Sequence, residues 1–309
     1  MRAVSLVVAV LLLGSSGVLG FPGTGMAEDK AVVLNSNAAL KRYADVQDGI
    51  LETMEGIKTV DLETKRLDGR QMEDFLIGES PDVVFSIGGK AMQSASVALP
   101  TGKKMVFTSV INWQRFRLGD DMYGVANEVP PLAQLTLYRE LFPNIHNIGI
   151  IYSREYNAEW FNLANQRAEE MNLHLIGRNV HYAHEVLNTL KELLPQVDAV
   201  WVTADPVVLG TAEITQAFFQ ASDAQKKPVF AYSAAFNSLG ATVTLSPDEV
   251  TVGRQAALLG RVALSGKTMT DHVQPPAGTF ITLNMAKVKK YGIPFNMDSL
   301  NLINEIIEH

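Results

Sequence analysis

Short apolar runs rich in valine and isoleucine alternate along this chain with stretches whose apolar residues recur at the helical interval. Val32-Val33-Leu34 reads as a buried strand over 30–34. Leu40, Tyr43, Val46, Ile50 and Met54 then mark one face of a helix over 38–54, with Ser36 or Asn37 placed to cap it. Strands over 59–62, 82–87 and 105–110 alternate with helices over 68–77 and 90–98. A looser stretch follows, with a turn at Gly119-Asp120-Asp121, an extended piece over 123–127 and Pro130-Pro131 opening a helix to 141. The scheme then resumes with strands over 147–152, 173–179, 199–203 and 229–232, and helices over 157–171, 184–194 and 209–221. Beyond Gly240 the pattern predicts a strand over 241–245 and a helix started by Ser246, with Pro247 at its first position, that ends before Gly266. A strand over 280–283, a helix over 285–291 and a short amphipathic helix over 299–307 complete the chain. Strands and helices alternating at this spacing imply parallel sheets covered on both faces, an α/β fold.

The pattern occurs twice. Gly102-Lys103-Lys104-Met105-Val106-Phe107-Thr108-Ser109 returns as Gln225-Lys226-Lys227-Pro228-Val229-Phe230-Ala231-Tyr232-Ser233. Asp82 returns as Asp198 ahead of the preceding strand, and Ser36 as Ser153. The offset stays at about 120 residues, far beyond the 20–50-residue units of solenoid repeats. Two lobes of one ancestry follow from this. Segments 28–126 and 238–272 are assigned to the N-terminal lobe, and 127–237 with 273–309 to the C-terminal lobe. Several crossings between lobes make a hinge. A cleft between lobes, beyond the carboxyl ends of the strands, is the expected ligand site.

Composition narrows the partners. The chain has 309 residues, 47% hydrophobic and 19% charged, with a net charge of −7 and no cysteine. The acidic balance and the lack of a long Lys/Arg cluster argue against a nucleic-acid surface. Without cysteine there is no disulfide, no thiolate metal site and no lipid-anchored N-terminus. Arg2, an apolar run over 3–13 and small residues through Gly25-Met26-Ala27 form the pattern of a secretory signal over 1–27, cleaved after Ala27. The run falls short of the about 20 residues that span a bilayer. A periplasmic protein beginning near Glu28 is the expectation.

The order of motifs carries a resemblance. A strand ending in Gly88-Gly89 precedes a helix. A Val-Phe-Thr strand follows, and then Tyr123-Gly124-Val125-Ala126-Asn127-Glu128-Val129-Pro130. Leu141-Phe142-Pro143-Asn144, Ile148-Gly149-Ile150-Ile151-Tyr152-Ser153, Gly253-Arg254-Gln255-Ala256-Ala257, Asn284-Met285-Ala286 and Tyr291-Gly292-Ile293 come after in turn. This resembles the substrate-binding proteins of ABC transporters with a type I periplasmic fold, in the branch related to tryptophan- and tyrosine-binding components. The resemblance implies two Rossmann-like lobes with parallel sheets joined by a multi-strand hinge. It also implies capture of a small molecule for delivery to a membrane permease. A helix N-terminus on one lobe with an Asp on the other would suit a zwitterion, an amino acid or close relative, and four aromatic residues near the cleft point to a flat or aromatic one. A module that senses the same ligand for a membrane receptor would share these features. Two departures fall on the ligand face: Ile111-Asn112-Trp113 stands where an Asp-Pro is expected, and Gly88-Gly89-Lys90 where Gly-Thr or Gly-Ser is expected.

Candidate ligand residues cluster at the strand ends. Gly88, Gly89 and Lys90 open a helix whose N–H groups and positive end would suit an anion; a plain turn with a solvated lysine is the alternative. Asp205 ends an otherwise apolar strand and would accept from a ligand ammonium, or cap the next helix. The resemblance tips it towards the ligand. Asn35, Ser36, Ser153, Asn157 and Ser233 occupy equivalent loops, where short polar side chains bind ligands or cap helices. Asn112, Trp113 and Tyr156 lie on the same face, with Trp160 and Tyr232 near them. His181 and His184 have a metal-compatible spacing but no further ligand cluster in the sequence. No nucleophile or metalloprotease motif is present. The sequence therefore reads as a binder, without cofactor or metal, rather than an enzyme, which would need an acid–base pair in the cleft.

Overall fold

A computed structural model describes residues 30–308 except 68 and 268. The signal expected over 1–27 lies outside the described residues.

The first lobe is built from β1 (Ala31–Asn35), α1 (Lys41–Thr53), β2 (Lys58–Asp61), α2 (Gly69–Glu79), β3 (Val83–Ile87), α3 (Gly89–Ala98), β4 (Lys104–Thr108) and β5 (Met122–Val125). The second contains α4 (Pro131–Leu141), β6 (Asn147–Tyr152), α5 (Arg154–Glu170), β7 (His174–Asn179), α6 (Val186–Leu193), β8 (Ala199–Val202), α7 (Ala212–Ala224), β9 (Val229–Ala231) and β10 (Val243–Pro247). Then come α8 (Glu249–Leu264), β11 (Val273–Gln274), β12 (Thr279–Asn284), α9 (Met285–Tyr291) and β13 (Glu305–Ile307). One sheet runs β11-β5-β4-β3-β1-β2 and the other β13-β12-β10-β9-β8-β6-β7. All pairs are parallel except β10 with β12.

The duplication is visible in this order. Strands β2-β1-β3-β4-β5 of one sheet match β7-β6-β8-β9-β10 of the other. A shared side-chain device goes with it. Asp82 Oδ2 accepts Lys30 N–H at 3.0 Å, and Asp198 Oδ2 accepts Asn147 N–H at 2.8 Å and His146 N–H at 3.0 Å, pinning adjacent strand starts in both lobes. Branched and aromatic strand residues are fully buried, Val33, Phe85 and Val106 in one core and Ile148, Ile150 and Phe230 in the other.

The sheets move the crossings from where the sequence pattern places them. That pattern gives segment 238–272 whole to the first lobe, yet β10 lies between β9 and β12 of the second sheet. As the counterpart of β5, β10 extends its own lobe's sheet. The chain returns with α8, and β11 stays in the first sheet by pairing Val273 with Gly124. The cap of α8 shifts too: Pro247 ends β10, and Asp248 Oδ1 accepts Thr251 N–H at 2.8 Å.

α8 holds the first lobe through a close crossing with α1. A Cβ on Gly253 would stand 2.1 Å from the Val46 carbonyl, and one on Gly49 would stand 2.1 Å from the Val250 carbonyl. Only glycine lets the two backbones approach this way. The helix expected over 299–307 is instead a short 3-10 turn over Met297–Leu302 followed by β13. Asn304 redirects the chain, giving its N–H to Ile281 O (2.9 Å) and accepting Ile281 N–H on Oδ1 (2.8 Å), so the β-branched Ile306 and Ile307 extend the sheet beside β12.

Candidate functional site

The carboxyl ends of β8 and β9, the N-terminal turns of α5 and the crossing from β5 to α4 enclose a cavity of about 380 Å³. The loop after β4 closes it from the first lobe with Asn112, Gln114 and Arg115. Arg115 reaches across the lobes, with Nη2 3.5 Å from Glu155 Oε1 and its guanidinium 4.3 Å above the Tyr156 ring. Both partners of that ion pair are solvent-exposed, so it contributes little to stability.

Aromatic side chains form the floor. Trp201 on β8 is fully buried and meets Trp160 of α5 edge-on, centroids 4.8 Å apart. Gln134 of α4 fixes the indole, its Oε1 accepting Trp201 Nε1–H and the Tyr138 hydroxyl, both at 3.1 Å, while its Nε2 donates to Val129 O at 2.8 Å. Every polar atom of Gln134 is thus engaged by the protein. Tyr156 and Tyr232 stand on the same wall.

Two buried polar atoms on this lining have no hydrogen-bond partner among the described residues: Glu128 Oε2 and Thr203 Oγ1. Native interiors leave few such atoms, and those at a cavity mark where another molecule would bond. Glu128 Oε1 accepts the Asn112 N–H at 3.4 Å. Burial pushes the Glu128 carboxyl up to about 7, against the smaller opposing effect of backbone donors. Burial also raises the Tyr232 hydroxyl to about 12, with the Glu128 charge adding to the shift, so it remains protonated at neutral pH.

The residues singled out in the sequence divide. Asn112, Tyr156 and Asn157 line the cavity. Asp205 stands behind the wall, 1% exposed. Its carboxylate accepts Ser153 N–H (2.7 Å), Ser153 Oγ–H (2.9 Å), Asn157 Nδ2–H (2.9 Å), Val207 N–H (2.9 Å) and Val208 N–H (3.2 Å). Those donors saturate a group with about four acceptor sites. Asp205 and Ser153 therefore brace the loop, and Asn157, bent out of helical geometry at φ −132°, is fastened to the same carboxylate.

In the first lobe one backbone N–H of the predicted anion site is taken by the chain itself. Ser36 Oγ accepts Ala91 N–H at 2.9 Å and caps α3 from across the sheet. Gly88 adopts φ +85°, and a Cβ there would stand 2.7 Å from Ser36 Oγ and 2.8 Å from the Tyr43 ring. Gly89 has open space around it. Lys90 turns outward and donates to Leu62 O at 2.8 Å. Asn35 donates to Tyr43 O and Gln47 Oε1, both at 3.2 Å, and accepts Asn37 N–H. Trp113 packs on Phe107 with centroids 6.1 Å apart, and Ser233 caps its own turn at Ala235 N–H. None of these lines the cavity. Sequence reasoning missed Glu128, Gln134 and Arg115. The signal for Glu128 was an isolated acid on an interlobe crossing.

Two lobes of this topology, meeting at the carboxyl ends of their strands over one cavity, define a type I periplasmic-binding fold. The family described as ABC transporter substrate binding protein matches residues 31–305, and the chain belongs to that family. Solved structures agree in fold. A ligand-free, open substrate-binding protein with adhesive properties from Clostridium difficile has a TM-score of 0.70 at 17% identity, covering 91% of this chain and 100% of that one. A Streptococcus pneumoniae ABC domain solved in complex with L-Trp has a TM-score of 0.62 at 21% identity, covering 91% and 100%. A conserved domain protein from Vibrio cholerae has a TM-score of 0.60 at 20% identity, covering 90% and 99%. No curated protein matches the chain.

Proposed function

We propose that the protein is an exported solute receptor that closes on a small amino-acid-like molecule and presents it to an ABC transporter permease. The observation that carries this reading is the interlobe cavity, with an aromatic floor and two buried polar atoms that the protein leaves unbonded. Such a site offers hydrogen-bonding atoms and an aromatic surface to a small molecule. It suits recognition, since a ligand touching both lobes stabilises the closed form by its differential affinity for it. The L-Trp held by the Streptococcus pneumoniae structure supports an amino-acid ligand. The signal pattern over 1–27 supports export to the periplasm.

Native mass spectrometry of the protein purified from periplasm, with denaturing release of the bound mass, tests the reading. A single small solute that raises the melting temperature when added back is expected. Conversion of that solute into another compound by the purified protein would replace the reading with an enzymatic one.

A further inference from the structure

Glu128 stands on the crossing between β5 and α4, where the first lobe's Asn112 and the second lobe's Tyr232 both meet the cavity. One carboxylate oxygen takes a long backbone hydrogen bond from Asn112, and the other is buried with no partner among the described residues. Arg115, a cation on the same lining, is turned to Glu155 and lies over Tyr156. A buried carboxylate oxygen left unpaired is costly, so a chain that keeps one at a cavity wall gains from it when the site is filled.

We propose that the ligand carries a protonated nitrogen, of ammonium or amidine type, that seats on Glu128 Oε2 with its carbon body against Tyr156, Trp160 and Tyr232. This rests on the reading of the cavity as the solute site, and it names the chemistry the site selects. Three observations converge on it. Asp205, the carboxylate that the sequence offered for an ammonium, already accepts five protein donors. A neutral donor would bond Oε2 but leave the carboxylate charge uncompensated in a desolvated place, whereas a cation supplies bond and charge together. The Arg115 guanidinium 4.3 Å above the Tyr156 ring shows an aromatic face of this lining already holding a cation. Thr203 Oγ1, the second unbonded polar atom, is left for the ligand's other end. Burial raises the carboxyl to about 7, and a bound cation would lower it again and favour the ionised form.

Matched probe triplets test this whatever the natural ligand is: tryptophan, tryptamine and indolepropionate; tyrosine, tyramine and hydroxyphenylpropionate; leucine, isoamylamine and isocaproate. Glucose and ribose serve as uncharged probes. Each is screened by melting-temperature shift against the full mature chain and against Glu128→Gln, and binders are measured by calorimetry. At least one amine-bearing probe should bind, its deaminated acid should bind at least about tenfold more weakly, and Glu128→Gln should lose at least about tenfold for the amine. A deaminated acid or sugar binding as tightly as the amine would overturn the proposal and leave the solute-binding reading intact. Amine affinity unchanged in Glu128→Gln would do the same. Absence of binding by every probe, whatever its charge, would count against the solute-binding reading and take the proposal with it.

Discussion

Replacing Asp205 by alanine removes the acceptor for five donors in one step. Two of the stranded backbone N–H groups belong to Ser153 and Val208, each 2% exposed, where water does not reach. A buried donor deprived of its acceptor costs about 1–3 kcal/mol. Asn157 lines the cavity and can bond to water instead, so its share falls at the low end. Taken together, the loss should be about 3–5 kcal/mol. For a chain of this size that corresponds to a melting temperature lower by about 5–9 °C. Asp205→Asn keeps one oxygen for Val207 and Val208 but turns an amide against the Ser153 N–H, and should cost about 1–2 kcal/mol. Thermal and urea unfolding of the ligand-free protein read both values. If Asp205 only contacted ligand, the alanine variant would melt where the parent does. A drop below about 2 °C would refute the bracing role.

Three further outcomes can be measured. The Glu128 carboxyl is raised from 4.5 to about 7 by burial, so the unfolded chain ionises first and stability is lost as pH rises through that interval. Glu128→Gln should therefore unfold like the parent near pH 4.5 and be more stable by about 1–3 kcal/mol at pH 8 in the absence of ligand. Equal stability at pH 8 would show that the carboxylate is not desolvated. Gly253→Ala drives a methyl into the Val46 carbonyl and should cost about 1–3 kcal/mol. Gly78→Ala in α2, where a Cβ meets nothing within 4 Å, should be neutral or stabilising by about 0.5 kcal/mol; denaturant midpoints separate the two, and equal losses would dismiss the close helix crossing. If the protein is exported as proposed, intact-mass analysis should find an N-terminus near Glu28, and retention of Met1 after export would overturn the cleavage proposal.

The strands and helices were legible because their burial leaves a period in the sequence. Val32-Val33-Leu34 and Ile148-Gly149-Ile150-Ile151 are apolar on both faces because helices cover both faces of their sheets. The duplication was legible because Asp82 and Asp198 perform one task in two places. What failed was local competition. Ile303, Ile306 and Ile307 fit an amphipathic helix, but Asn304 docks the segment on β12. Ser246-Pro247 fits a helix start, but the strand pairing holds both residues and passes the cap to Asp248. The site was legible as a region, the strand ends, rather than as side chains. Nothing in the sequence distinguishes a serine that faces a ligand from Ser36, whose hydroxyl is used by Ala91, or an aspartate on a ligand from Asp205, whose oxygens are used by its own loop. Glu128 escaped because its neighbours in sequence are those of a linker, and only the packing of the two lobes buries its oxygen.

Whether the solute occupies this cavity can be read from tryptophan emission. Of the three tryptophans, Trp160 and Trp201 stand on the cavity wall, whereas Trp113 packs on Phe107 away from it. Titrating Trp113→Phe with the solute released from the natively purified protein should give a saturable change at one ligand per chain, matching the calorimetric affinity. Unchanged emission at a concentration that calorimetry shows to be saturating would place the ligand elsewhere and contradict the assignment of this site.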